Sequence, residues 1–224
     1  MKTTVDYSEL STYEYSPADH YKKYCLAEEL EYSPEQQRRM TLGSIVGDYI
    51  DNPNDDFVKR MKEAGFENGL VLKVQKLYPR IERTGEHQMW LRAELAEGIT
   101  LVGKLDRFLK DERVIDDYKT TEQEDMWAQW KVDSNRQLSV YDLLFYENFH
   151  RPLRELAIAE INLAKVGRFH RWLTSRGPQD RKDTKDWILS LVGKMKQDGI
   201  WEQRKSSAEI KQVQAQKRGD TLNL

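Results

Sequence analysis

Between Tyr78 and Thr120 apolar residues recur with a period of two, and on both sides of that stretch they return to helical spacing. Gly98, Gly103 and the cluster Lys110-Asp111-Glu112-Arg113 punctuate the stretch and divide it into about three antiparallel strands. Upstream, Ser16-Pro17 and Ser33-Pro34-Glu35 read as helix starts, and Leu42, Ile45, Val46, Tyr49 and Ile50 continue a buried helix that stops near Asn52-Pro53. Downstream, Asp133-Ser134 can cap a helix carrying Leu138, Tyr141, Leu144, Phe145 and Asn148. Residues 156–163 read as a further strand, and Asp183 to Gly199 as an amphipathic helix. Helices before and after a sheet predict an α/β fold with a central, mainly antiparallel sheet.

The chain has 224 residues, enough for one substantial core, so a single domain over residues 1–203 is expected, with a polar, basic tail at 204–224. Six Trp and eleven Tyr argue against disorder despite 33% charged residues. No long apolar run marks a membrane span or a secretory leader, so a cytoplasmic protein without membrane contact is expected. Cys25 is the lone cysteine, which excludes an internal disulfide and a thiolate zinc or iron–sulfur site. Any metal must be held by oxygen or imidazole. Residues 1–60 carry seven Lys+Arg against twelve Asp+Glu, whereas residues 161–224 carry fourteen against seven. The basic end is compatible with a polyanion, although solvated helix charge is the commoner explanation.

The chemistry is concentrated in Gly103-Lys104-Leu105-Asp106-Arg107-Phe108 and Val114-Ile115-Asp116-Asp117-Tyr118-Lys119-Thr120. If a hairpin closes about Asp111-Glu112, paired positions sum to 223, which sets Asp106 opposite Asp117 with Lys119 on the same face. Two such carboxylates repel unless a divalent cation compensates them, and hard oxygen ligands point to Mg²⁺ or Mn²⁺. A lysine beside that cation suits phosphodiester hydrolysis. A surface hairpin with merely solvated charges has the same spacing, and the residues alone leave both readings open.

These two segments resemble the signature of the PD-(D/E)xK nuclease superfamily, in its RecB-like and RecE-like, phage-type exonuclease branch. Gln137-Leu138 with Tyr141 is similar to the branch's Q-L-x-x-Y motif, and Tyr7-Ser8-Glu9-Leu10, Ser16-Pro17 and the Leu42-Gly43 helix match it upstream. The resemblance implies a restriction-endonuclease-like core. It implies that Asp106 and Asp117 are metal ligands, that the Tyr118 carbonyl completes the shell, and that Lys119 is catalytic. It further implies that Gln137 and Tyr141 bind a substrate phosphate or orient Lys119. DNA is the implied substrate, in recombination or repair, with a single-strand annealing protein and a homo-oligomeric ring as further implied partners that no residue here specifies.

The branch carries a histidine ligand where this chain has Gly47. Asp51, one turn on, is the expected replacement, and the alternatives are water, Asp48, or a weakened nuclease that serves as a DNA-binding module. A structure-specific endonuclease is a further alternative. The four histidines lack ligand spacing and are expected at the surface or in caps, with His20 the one distant candidate ligand. Trp127, Trp130 and Trp172 can stack on unpaired bases, although core packing is commoner. The basic run over 165–185, net +5, can track a phosphate backbone, and Arg168 and Arg171 are its expected DNA contacts; a solvated loop is an equal reading of the same run.

Overall fold

The computed structural model describes residues 3–53 and 56–218. In chain order, β1 (Thr4–Val5), α1 (Tyr7–Tyr15), α2 (Pro17–His20), α3 (Pro34–Asp51), α4 (Asp56–Glu63) and α5 (Asn68–Leu77) come first. Three strands follow, β2 (Glu86–Ala96), β3 (Ile99–Leu109) and β4 (Val114–Thr121). Then come α6 (Gln129–Asp133), α7 (Arg136–Phe149), β5 (Glu155–Asn162), β6 (Arg168–Thr174), α8 (Pro178–Gln197) and α9 (Ser207–Arg218). The strands hydrogen-bond in the order β1-β3-β4-β5-β6, with β2 also on β3. β3–β4 and β5–β6 are antiparallel, while β1–β3 and β4–β5 are parallel. This is the expected α/β class, a mixed sheet flanked by helices.

The chain divides into two compact units, one of residues 1–31, 92–103 and 178–224, the other of residues 32–91 and 104–177. In the first, α1 starts at Asp6, whose side chain accepts the Glu9 N–H. α2 starts at Ser16-Pro17 as the sequence predicts, but it passes into a π-helical turn and ends at Cys25, short of Glu31. Glu9, His20 and Arg204 are buried together: Glu9 Oε1 lies 2.9 Å from Arg204 Nη1 and 3.3 Å from His20 Nε2. His20, the distant ligand candidate, is thus fully buried in an ion-paired cluster. The sequence predicts a polar tail from Arg204, yet Arg204 is buried and Ser207–Arg218 is a helix; residues 219–224 lie outside the described residues.

In the second unit, Ser33 and Gln36 form a reciprocal capping box at the start of α3, with Pro34 at its first position. The apolar face of α3 (Leu42, Ile45, Val46, Ile50) packs with Phe57 and Met61 of α4, Leu70, Val71 and Val74 of α5, and Ile161 of β5. Neither α4 nor α5 is evident from the sequence punctuation. The α7 helix is capped by Asn135, whose side chain accepts the Leu138 N–H, rather than by Asp133-Ser134. Its face is fixed by apolar burial, with Phe145 edge-on to Phe108 of β3 and Phe149 stacked on the same ring. Residues 168–174, where the sequence permits a solvated loop, are the edge strand β6.

Candidate active site

The β3–β4 hairpin turns through Lys110–Arg113, with Arg113 at φ 58° and its N–H bonded to the Lys110 carbonyl. Its pairs are Arg107 with Asp116, Phe108 with Ile115 and Leu109 with Val114. Each sums to 223, the register expected from the sequence. One further step sets Asp106 against Asp117, and there the Asp106 side chain takes over from the ladder: its Oδ2 accepts the Tyr118 N–H at 2.9 Å. Asp117 is buried. Burial first, and then the Asp117 charge, push the Asp106 carboxyl up to about 7 despite the opposing pull of Lys119 and the Tyr118 N–H. The pair therefore holds a proton near neutrality unless other positive charge arrives.

Lys119 follows on the same face of β4, its Nζ 2.7 Å from Asp117 Oδ2 and 3.1 Å from Gln137 Oε1. The direction of each bond beyond it is determined. Gln137 Nε2 donates to Tyr141 Oη at 2.7 Å, and Tyr141 donates in turn to the Lys104 carbonyl at 3.0 Å. Burial, with the Asp117 and Asp106 charges close by, raises the Tyr141 pKa, so the phenol keeps the proton it donates. The amide of Gln137 is thereby fixed with its oxygen toward the ammonium. Gln137 and Tyr141 lie one helical turn apart, which is why α7 can present both.

The end of α3 approaches the same strand. Asp51 contributes to the raised Asp106 pKa, but its carboxylate is bonded to His87 Nδ1 at 2.8 Å. The other nitrogen, Nε2, lies 2.8 Å from the Arg83 carbonyl, and the imidazole stacks on Tyr118 with ring centroids 6.2 Å apart. His87, expected at the surface or in a cap, thus links α3, the approach to β2 and the residue between Asp117 and Lys119. Its spacing in the sequence gives no sign of this, because Asp51 and Tyr118 come from segments distant in the chain. A Cβ at Gly43 or Gly47 would meet nothing within 4 Å. A backbone packed closely against them is therefore not what keeps them small.

The other expected residues divide. Arg168 lies on β6 opposite Asn162, on the Lys119 side by strand alternation, and donates to the Glu124 carbonyl at 2.8 Å. Arg171 faces the other way. It binds Asp116 Oδ1 at 2.6 Å and also Glu155, while Arg107 binds the second oxygen of Asp116. Asp116 is thus neutralised by two guanidiniums and belongs to the framework, and Arg171 is not brought beside the carboxylate pair. Trp172 is held by its indole N–H on Glu160 at 2.9 Å.

The donors this face offers are the oxygens of two repelling carboxylates, Asp106 and Asp117. Asp117 Oδ2 accepts no directed hydrogen bond although Lys119 is adjacent. Two repelling carboxylates, Asp117 buried and met by one ammonium, Asp106 raised by burial and by its neighbour's charge, suit a hard divalent cation. Among the described residues no three His, Cys, Asp or Glu side chains are gathered closely enough to hold an ion alone. Among the described residues no helix is long and apolar enough to cross a membrane.

Comparison with curated proteins finds no matching sequence. Among solved structures, the fold is similar to that of a Eubacterium rectale protein assigned as an exonuclease. The TM-score is 0.55 and the identity 16%, covering 98% of this chain and 83% of that one, a likeness of fold alone. The sequence profile of the PD-(D/E)XK nuclease superfamily matches residues 5–208. A hairpin bearing Asp106 and Asp-Tyr-Lys at 117–119, within a profile that spans most of the chain, makes this protein a member of the PD-(D/E)XK nuclease superfamily.

Proposed function

We propose that the chain is a divalent-metal-dependent DNA nuclease, an exonuclease of the RecB-like and RecE-like branch acting in recombination or repair in the cytoplasm. The carboxylate pair with Lys119 held by Gln137 is the observation that carries this. Asp106, Asp117 and the Tyr118 carbonyl would hold Mg²⁺ or Mn²⁺, which when bound supplies charge to polarise the phosphoryl group and lower the pKa of water. Lys119 Nζ orients the attacking water and donates to the phosphoryl oxygen as negative charge develops there. Gln137 keeps the ammonium aimed, and Tyr141 keeps Gln137 aimed. Arg168 contacts the DNA backbone, whereas Arg171, committed to Asp116 and Glu155, contributes to the framework that supports β6.

A second reading, a weakened nuclease serving as a DNA-binding module, draws on Gly47 and on the absence of a three-group ligand cluster among the described residues. Linear and covalently closed circular duplexes, each incubated with increasing Mg²⁺ or Mn²⁺, separate the possibilities. An exonuclease degrades the linear form and spares the circle. Cutting of the circle indicates an endonuclease, and binding without cleavage in either metal indicates the module.

A further inference from the structure

The segment from Glu122 to Asn135 joins β4, which carries Lys119, to α7, which carries Gln137. Core packing is the usual place for tryptophan, but Trp130 in this segment is 69% exposed, with Met126 (37%) and Leu173 of β6 (47%) also showing apolar surface. The backbone beneath it is pinned. Gln129 Nε2 donates to the Leu173 carbonyl at 2.7 Å and to Asp133 at 2.8 Å, and Ser134 Oγ donates to the Trp130 carbonyl at 2.8 Å. Arg176 binds the Val132 and Asn135 carbonyls at 3.1 and 3.2 Å, and Val132 is wholly buried. Lys131, held by the Met126 carbonyl at 2.7 Å, keeps its ammonium 5.7 Å from the indole centre.

From this exposed ring on a braced support we infer, on the basis of the DNA-nuclease reading, that Trp130 is a stacking platform for unpaired bases of the DNA strand next to the active site. An exposed indole on a braced backbone can stack on any base, because every base has a π-face. Charge around the indole is mixed: Lys131 is offset by Glu124, Asp125 and Asp133. A phosphate backbone gains little there, so base stacking is the contact this surface can offer, and its contribution is nearly independent of salt.

The test is binding of a fluorescent oligo-dT and of a blunt duplex, measured by anisotropy with chelator present so that nothing is cut. Trp130→Ala should weaken oligo-dT binding about tenfold, the scale of one lost stack, with the salt slope, the duplex affinity and the melting temperature unchanged. Trp130→Phe should recover most of the loss. Trp90→Ala, at an equally exposed tryptophan (64%) on β2, should change nothing. Equal losses on oligo-dT and duplex, an equal loss for Trp90→Ala, or unchanged oligo-dT binding would overturn the assignment. So would self-association that Trp130→Ala abolishes while DNA binding stays intact, since the surface would then serve a second copy of the chain. Wild-type protein that cuts linear duplex but fails to bind oligo-dT refutes the platform and leaves the nuclease reading standing. Absence of both refutes the two together.

Discussion

Asp106→Asn removes one of the two repelling carboxylates while keeping an oxygen for the Tyr118 N–H. The folded carboxyl is raised from 3.8 to about 7. Because the native state then binds protons that the unfolded chain has released, this group's stability contribution is complete below pH 3.8 and is lost as pH rises through 7. At about 1.36 kcal/mol per pH unit, the ionised pair costs the metal-free protein up to roughly 4 kcal/mol at alkaline pH. Most of that loss, roughly 2–3 kcal/mol, falls between pH 5 and pH 8.5. Asparagine does not titrate, so the wild type should lose stability relative to Asp106→Asn across that window. For a chain of this size the relative fall in Tm is about 5–10 °C. Thermal melts at several pH values in chelator measure it. Adding Mg²⁺ or Mn²⁺ at pH 8.5 should then raise the Tm of the wild type and leave the variant where it was. Parallel Tm profiles for the two proteins in chelator would show that Asp106 is not raised by burial and Asp117, and the physical case for a cation between them would fail.

Lys119→Ala should abolish cleavage while metal still raises Tm, and Gln137→Ala should slow turnover by about 10–100-fold with little change in the metal concentration for half-maximal rate. Gly47→His should fold, since its Cβ meets nothing, and should lower that half-maximal metal concentration; a well-folded variant with an unchanged metal requirement would remove Gly47 from the site. Arg168→Glu should weaken DNA binding and flatten the salt dependence. Arg171→Glu should instead destabilise by about 3–5 kcal/mol, because it leaves the buried Asp116 short of a partner and brings a like charge to it; chemical denaturation of the two variants distinguishes these outcomes.

The hairpin register was legible because strand alternation and a symmetric turn leave little freedom once both strands are recognised. Asp106, Asp117 and Lys119 follow from it, and the Gln137–Tyr141 spacing follows from one helical turn. What stayed hidden depends on long-range docking. The contact of His87 with Asp51 joins segments 36 residues apart in sequence, and no local pattern encodes it. Asp116 and Asp117 are adjacent and identical in type; alternation and register set Lys119 beside one and Arg107 opposite the other, but the second guanidinium on Asp116, Arg171, comes from 55 residues away. The strand β6 is not legible locally, because Arg168 and Arg171 fall on opposite faces of an edge strand and read in sequence like the charges of a solvated loop. The exposure of Trp130 was equally invisible, since a tryptophan near a helix start reads as core.

The parallel pairing of β4 with β5 requires the chain to leave one end of the sheet and re-enter at the other, and α7 lies within that crossover. The two acids sit on a tight hairpin that needs no crossover, whereas the groups that aim Lys119 arrive only with α7. Partial opening of α7 would therefore disarm the lysine while the acids stay paired. Amide exchange along α7, rather than along the hairpin, would report the fraction of molecules competent to turn over at any instant.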